Sequence, residues 1–255
     1  MVARRQRGLV AIQLAMAAVE FTVNPQPDIR ALATIFRRQG RLQIPNFLEP
    51  GCAQALLEYL QAEQRWTRVF NQGDKLFELS GDVQASMSAE QTELLELAVL
   101  KGARHGFQFR FENIRVSDNP QARAASGGLL EAFASFMSSP PVLEQLRLIT
   151  GEEDVTHADA QATAYSPGDF LTAHDDEVDG KGRRAAYVLG LSPGWLGDWG
   201  GLLLFHGRDG RIADAFVPAF NTLTLFAVPQ PHSVSAVAPF APRRRYSVTG
   251  WLRAL

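Results

Sequence analysis

The chain has 255 residues, 46% of them hydrophobic and 20% charged, with 21 glycines and 14 prolines. That is globular composition for one large domain, and it argues against a collagen-like chain, a coiled coil or a disordered tail protein. A net charge of −2 offers no broad attraction for phosphate backbones, so no nucleic-acid partner is expected, and the single cysteine, Cys52, removes any disulfide framework or four-cysteine zinc site.

In chain order, Arg4, Arg5 and Arg7 precede an apolar stretch from Leu9 to Val19. Gln13 interrupts that stretch, which falls well short of the roughly 20 residues that span a bilayer, so no membrane association is expected. Residues 1–27 read as an N-terminal extension, with Met16 as an alternative start, and the protein as cytoplasmic. Residues 28–154 read as a support region of helices and strands. A helix is expected over residues 28–39, with Ile29, Leu32, Ile35 and Phe36 on one face and Gly40 as its stop. A strand over residues 42–47 leads to a helix containing Leu56, Leu57 and Leu60. Ser88 with Gln91 forms a capping-box pattern that opens another helix. Phe107, Phe109 and Phe111 alternate with polar residues, as in a half-buried strand. Helices over residues 129–137 and 142–149 follow, closed by Gly151.

After Gly151 the pattern changes to short apolar runs separated by Pro, Gly and Asp turns. Strands are expected over residues 155–165, 170–174, 185–191, 202–205, 213–217, 223–228, 233–237 and 246–252, with a hairpin loop over 206–210. Strands at this spacing suggest a jelly-roll sandwich or barrel over residues 155–255. The fold class is therefore α+β, a double-stranded β-helix core with flanking N-terminal helices.

The chemistry concentrates in Tyr165-Ser166-Pro167-Gly168-Asp169-Phe170-Leu171, which runs into His174-Asp175-Asp176. On a strand, His174 and Asp176 would share a face. His232, 58 residues after His174, offers a third ligand. Two imidazoles and one carboxylate leave coordination positions open, the facial triad of non-haem iron oxygenases. A turn His-Asp pair with an unrelated surface histidine is the competing reading, since H-x-D recurs by chance. Indeed His157-Ala158-Asp159 is a second such pair, read as a non-ligand because it lacks the Tyr-x-Pro-Gly turn; His105 and His206 sit in turn-rich contexts and are not assigned to the site. Arg245 directly precedes a strand, 13 residues after His232. Its planar fork suits a carboxylate, and Ser247 shares its face if extended. Arg243 and Arg244 read as a solvated face.

Together Tyr165-x-Pro-Gly-Asp, His174-x-Asp176, Tyr187-Val188-Leu189, Trp195, Trp199-Gly200-Gly201, Asn221-x-Leu223, His232-x-Val234 and Arg245-Tyr246-Ser247-x-x-Gly250-Trp251 resemble the 2-oxoglutarate- and Fe(II)-dependent dioxygenases, in their prolyl-hydroxylase-like branch. The match runs over residues 159–252; residues 42–48 resemble the family's lead-in segment more weakly. The resemblance implies that His174, Asp176 and His232 hold Fe(II), that Arg245 meets the distal carboxylate of 2-oxoglutarate, and that Tyr165 and Ser247 assist. It also implies O2 as oxidant, ascorbate as a reductant, and a tyrosine on a central strand, for which Tyr187 is the residue in question. The interval from His232 to Arg245 is longer than the family pattern, which leaves Arg243 and Arg244 as rivals for the anchor. The expected reaction hydroxylates a C–H bond, first choice a prolyl residue in a protein or peptide, releasing succinate and CO2. A nucleic-acid dealkylase, a small-molecule hydroxylase and a non-catalytic jelly-roll binding module remain as alternatives. Thr163 stands where the dealkylase branch usually has asparagine.

Overall fold

The structure is a computed structural model that describes residues 19–25 and 28–254; the reading of residues 4–18 lies outside them. Helix α1 (Ile29–Gln39) starts where Asp28 accepts the amide of Ala31 at 2.9 Å, and it ends at Gly40, whose left-handed φ of 67° lets its amide bond the Phe36 carbonyl. Phe36 is buried and Ile29 and Leu32 pack partly on the core, while Ile35 stays exposed. Strand β1 (Arg41–Pro45) follows at once, then α2 (Pro50–Ala62), which buries Leu56, Leu57 and Leu60.

The hairpin β2 (Thr67–Gln72) and β3 (Lys75–Leu79) was not legible in sequence. β2 buries Val69, Phe70 and Asn71 in succession, so it shows no period-two pattern. Helix α3 (Gly81–Ser86) precedes α4 (Ala89–Ala103), where both bonds of the Ser88–Gln91 capping box are present. Strand β4 (Phe109–Arg115) begins two residues later than its aromatic alternation. Gln108 instead turns inward, donating from Nε2 to the Asn71 carbonyl at 2.5 Å, and Phe107 is left half exposed. Helices α5 (Pro120–Ser126), α6 (Leu129–Met137) and α7 (Pro140–Thr150) complete this half; Gly151 caps the last in the left-handed region.

The remaining strands are β5 (His157–Ala158), β6 (Gln161–Tyr165), β7 (Phe170–His174), β8 (Arg183–Gly190), β9 (Leu203–His206), β10 (Ile212–Phe216), β11 (Thr222–Ala227), β12 (His232–Val234) and β13 (Arg245–Arg253). The single strand expected over residues 155–165 is broken at Asp159, whose carboxylate accepts the Trp251 amide at 2.7 Å. Hydrogen-bonded neighbours run β1-β11-β8-β13-β6-β4-β7-β12-β9-β10, antiparallel throughout, and the sheet curls into a jelly roll.

The two faces of the sheet bury different things. Leu189, Leu223, Leu225, Val248 and Leu252 face the helices, where Leu56, Leu60, Phe133 and Leu146 meet them. Ala186, Tyr165, Phe205, Phe226 and Val234 line the inside of the curl. At Gly250 the sheet has no room for a side chain: a Cβ would run into the carbonyl oxygen of Asp159 and the Tyr187 ring. Gly250→Ala is expected to destabilise the protein by about 1–3 kcal/mol, the cost of overpacking against atoms that cannot retreat. Denaturant unfolding measures it; unchanged stability would contradict that close approach.

Candidate active site

Strand β7 delivers His174 at its last position and β12 delivers His232 at its first, and the two are direct partners in the antiparallel pairing. Their rings therefore lie side by side, with centroids 4.1 Å apart. Asp176 arrives differently from the sequence expectation. The strand ends at His174, and Asp176 lies beyond it with φ 67°, a left-handed conformation that a short polar side chain tolerates. A turn, rather than the pleat, brings the carboxylate back to the imidazoles. Its Oδ1 is 3.4 Å from His174 Nε2 and its Oδ2 3.5 Å from His232 Nε2. One ligand atom from each of the three lies within 4.8 Å of the others.

Each imidazole is oriented from behind. Nδ1 of His174 is 3.0 Å from the Thr172 carbonyl, and Nδ1 of His232 is 2.7 Å from the Gln230 carbonyl. With the proton held on Nδ1, both Nε2 lone pairs point towards Asp176. Burial, and then the charge of His174, push His232 down to about 4. Burial works to raise the Asp176 carboxyl, but the His174 bond and the charges of His232 and His174 outweigh it and hold the group below the usual carboxylate range. Near neutral pH, His232 is thus a neutral imidazole and Asp176 an ionised carboxylate, as a transition-metal ligand set requires.

The sign of the pH dependence follows. Because the folded-state value of His232 lies below 6.5, its contribution to stability is present above pH 6.5 and is lost as pH falls towards 4. Protons compete with a metal for the same nitrogens and oxygens, so Fe(II) affinity is expected to fall between pH 7 and pH 4. Anaerobic metal titrations at several pH values check this; affinity that holds or rises in acid contradicts it.

These groups open onto a cavity of about 370 Å³, walled by Phe109, Leu171, Val188, Phe226 and Trp251. Arg245, the first residue of β13, also borders it, opposite Tyr165 in the strand register. The guanidinium carbon sits 5.0 Å from the Tyr165 ring centroid, and that ring stacks on Phe111 at 5.0 Å. Arg245 is only 4% exposed, its Nε has no hydrogen-bond partner, and among the described residues it forms no ion pair. Burial pushes its pKa below the usual arginine range. A buried cation without a counter-charge is costly, and a carboxylate entering the cavity would relieve that cost. Burial also pushes the Tyr165 phenol up, so at neutral pH it is a protonated donor.

Of the other residues singled out in the sequence, Ser247 does not line this cavity. Ser247 borders a second, smaller hollow shared with Arg245, and its hydroxyl lies 2.8 Å from that of Thr163. Tyr187 packs with the helix-side core and donates its hydroxyl to the Asp159 carbonyl at 2.8 Å, and both it and Val188 border the cavity. The solvated-face reading fails for Arg244. It pairs with Glu112 in the middle of β4, lies 5.4 Å from the Trp66 ring and donates to Ser166. Arg243 is exposed and reaches the Gly194 carbonyl. His157 sits beside Thr156 in β5, pairing with Arg253; His206 bonds Ser233 at 2.8 Å; His105 is exposed after α4.

Sequence reasoning missed three contributors. Arg183 donates to the Asp176 carbonyl at 2.9 Å and lies 3.6 Å from the Trp251 ring centroid. Phe107 brings its ring to 5.5 Å from His174. Asp169 is fully buried, accepts from Arg110 at 3.0 Å and Arg68 at 3.2 Å, and receives the Ser166 amide, which clamps the turn between Tyr165 and His174. The Asp in Tyr-x-Pro-Gly-Asp was visible, but its arginine partners are on β2 and β4, with no local signal to join them.

Comparison with known proteins points the same way. Residues 160–253 match the family described as the 2OG-Fe(II) oxygenase superfamily. The prolyl 3-hydroxylase OGFOD1 of Xenopus laevis is 32% identical over 167 residues, 62% of this chain and 30% of that protein. The chain thus spans less than a third of the length of that curated relative. Among solved structures, a Pseudomonas putida prolyl-4-hydroxylase superposes with TM-score 0.55 at 21% identity, covering 89% of this chain and 100% of that one. A Trichoplax adhaerens prolyl hydroxylase, in complex with a hypoxia inducible factor peptide fragment, gives TM-score 0.57 at 17% identity over 89% of each chain. At these identities the structural likeness concerns the fold.

Proposed function

We propose, for a chain whose residues 160–253 match the 2OG-Fe(II) oxygenase superfamily, hydroxylation of a prolyl residue in a protein or peptide. One observation carries the reading: a triad of ligand-type side chains and a buried arginine with no ion pair among the described residues border the same apolar cavity. The donor set fits Fe(II), and Arg245 fits the far carboxylate of 2-oxoglutarate. Bound iron, 2-oxoglutarate and O2 supply the oxidising power that replaces C–H by C–OH, with release of succinate and CO2.

The protein's own residues orient and exclude. His174, Asp176 and His232 hold the metal, with Thr172 and Gln230 carbonyls fixing the imidazole tautomers. Arg245 binds the distal carboxylate through its fork, and Tyr165 stands beside it as a donor. The apolar walls keep water from the reacting face. Phe107, exposed at the cavity and close to His174, is placed to receive a substrate ring.

The test is succinate release from purified protein supplied with Fe(II), 2-oxoglutarate and, in turn, prolyl peptides, free proline and alkylated oligonucleotide, with mass spectrometry for a +16 product. The prolyl-peptide arm is expected to respond, more strongly with ascorbate. Product only in another arm replaces the substrate; succinate in none removes the catalytic reading.

A further inference from the structure

Helix α4 turns Leu95 and Val99 towards the sheet but leaves Leu94, Leu97 and Leu100 exposed at 60%, 57% and 46%. These three residues share one face of the helix at three-residue spacing. Glu90, Glu93, Lys101 and Arg104 flank them, all exposed, and among the described residues none of the four forms an ion pair. Their order is the informative feature. Counted from Leu97, Leu94 and Leu100 lie three residues to either side, Glu93 and Lys101 four, and Glu90 and Arg104 seven. The face is therefore self-complementary under reversal: acid on one side of the centre meets base at the same distance on the other.

We propose that α4 is the seam of an isologous homodimer in which two copies cross antiparallel about a two-fold axis at Leu97. Leu97 then meets its own copy, and Leu94 meets Leu100 of the partner subunit. Glu93 faces Lys101 of the partner subunit, and Glu90 faces Arg104 of the partner subunit. A two-fold axis repeats every contact away from it, so each of these three unlike pairs occurs twice while Leu97 meets its copy once. A parallel arrangement would set Glu93 against its own copy and Lys101 against its own copy, which charge forbids. The capping box and the right-way charge order along the helix keep α4 intact as a rigid element in both subunits. One helix per subunit covers less than the roughly 800 Å² per partner of a standard interface, so the dimer is weak and concentration-dependent.

The contact stands apart from the cavity residues, so disrupting it leaves turnover per chain unchanged. Sedimentation of the 255-residue chain from about 1 to 200 µM tests it. The 28.0-kDa chain is expected to shift towards twice its mass at the upper end. Leu97→Asp should stay monomeric throughout, with its helical circular dichroism retained. Glu93→Lys should weaken dimerisation roughly tenfold, since two attractive pairs become repulsive. Glu93→Lys with Lys101→Glu should restore it to within about threefold, because the reversed charges meet again. A wild-type chain that is monomeric at every concentration overturns the proposal. So does a dimer that ignores Leu97→Asp, or a double variant no better than the single one.

Discussion

Replacing His174, Asp176 or His232 by alanine should each weaken Fe(II) binding by at least about 100-fold, since even the loss of an outer-shell partner costs about 10–100-fold. Turnover should fall to background in all three. The reason is geometric: the ligand atoms lie within 4.8 Å of one another, and no fourth histidine or carboxylate joins the group among the described residues. His157→Ala is the control, because that ring lies on β5 beside Thr156 and should leave metal affinity and activity near wild type. Anaerobic Fe(II) titration separates the cases, with thermal unfolding run alongside, since His232 also packs at 4.6 Å from the Phe226 ring. If His157→Ala loses metal while His174→Ala keeps it, the wrong H-x-D pair was assigned.

Arg245→Ala should leave iron in place and weaken 2-oxoglutarate binding roughly 30-fold or more. Truncating one partner of a desolvated, charge-assisted pair costs on the order of 2–5 kcal/mol, and every 1.4 kcal/mol is about tenfold. Arg245→Lys should recover only part of the loss, because an ammonium keeps the charge but not the fork. A second readout distinguishes this role from a structural one. Arg245 is buried without a counter-charge among the described residues, so removing it should cost the cosubstrate-free protein little stability and can even raise Tm. Arg244→Ala should behave in the opposite way, losing stability through Glu112 and Trp66 with 2-oxoglutarate affinity nearly intact. Arg243→Ala should change neither. Titration of 2-oxoglutarate into anaerobic Fe(II) protein for the three alanine variants decides it. Sensitivity at Arg243 or Arg244 would shift the anchor; indifference at all three would remove the main support for 2-oxoglutarate.

The sequence by itself determined what short-range physics can encode. Asp28 and Gly40 bound α1, Ser88 and Gln91 open α4, and the close spacing of apolar runs after Gly151 announces a curled antiparallel sheet. His174, Asp176 and His232 as a candidate ligand set, and Arg245 as a candidate anchor, could be picked out from residue type and order alone, and the fold brings all four to one cavity. Only the tertiary structure decided how they meet. Asp176 comes round through a left-handed residue rather than along the strand, a choice made by β7 ending where its pairing with β12 ends. Strand β2 has no alternation to read, since Val69, Phe70 and Asn71 are buried in succession, with Phe70 packed beside Val99 of α4, while its partner β3 is a largely exposed edge strand. Three adjacent arginines look alike in sequence, yet one is exposed, one is paired with Glu112 and one is buried over the Tyr165 ring with no ion pair among the described residues. What separates them is what the fold brings beside each, Gly194 at Arg243, Glu112 at Arg244 and Tyr165 at Arg245, all of them distant in the chain.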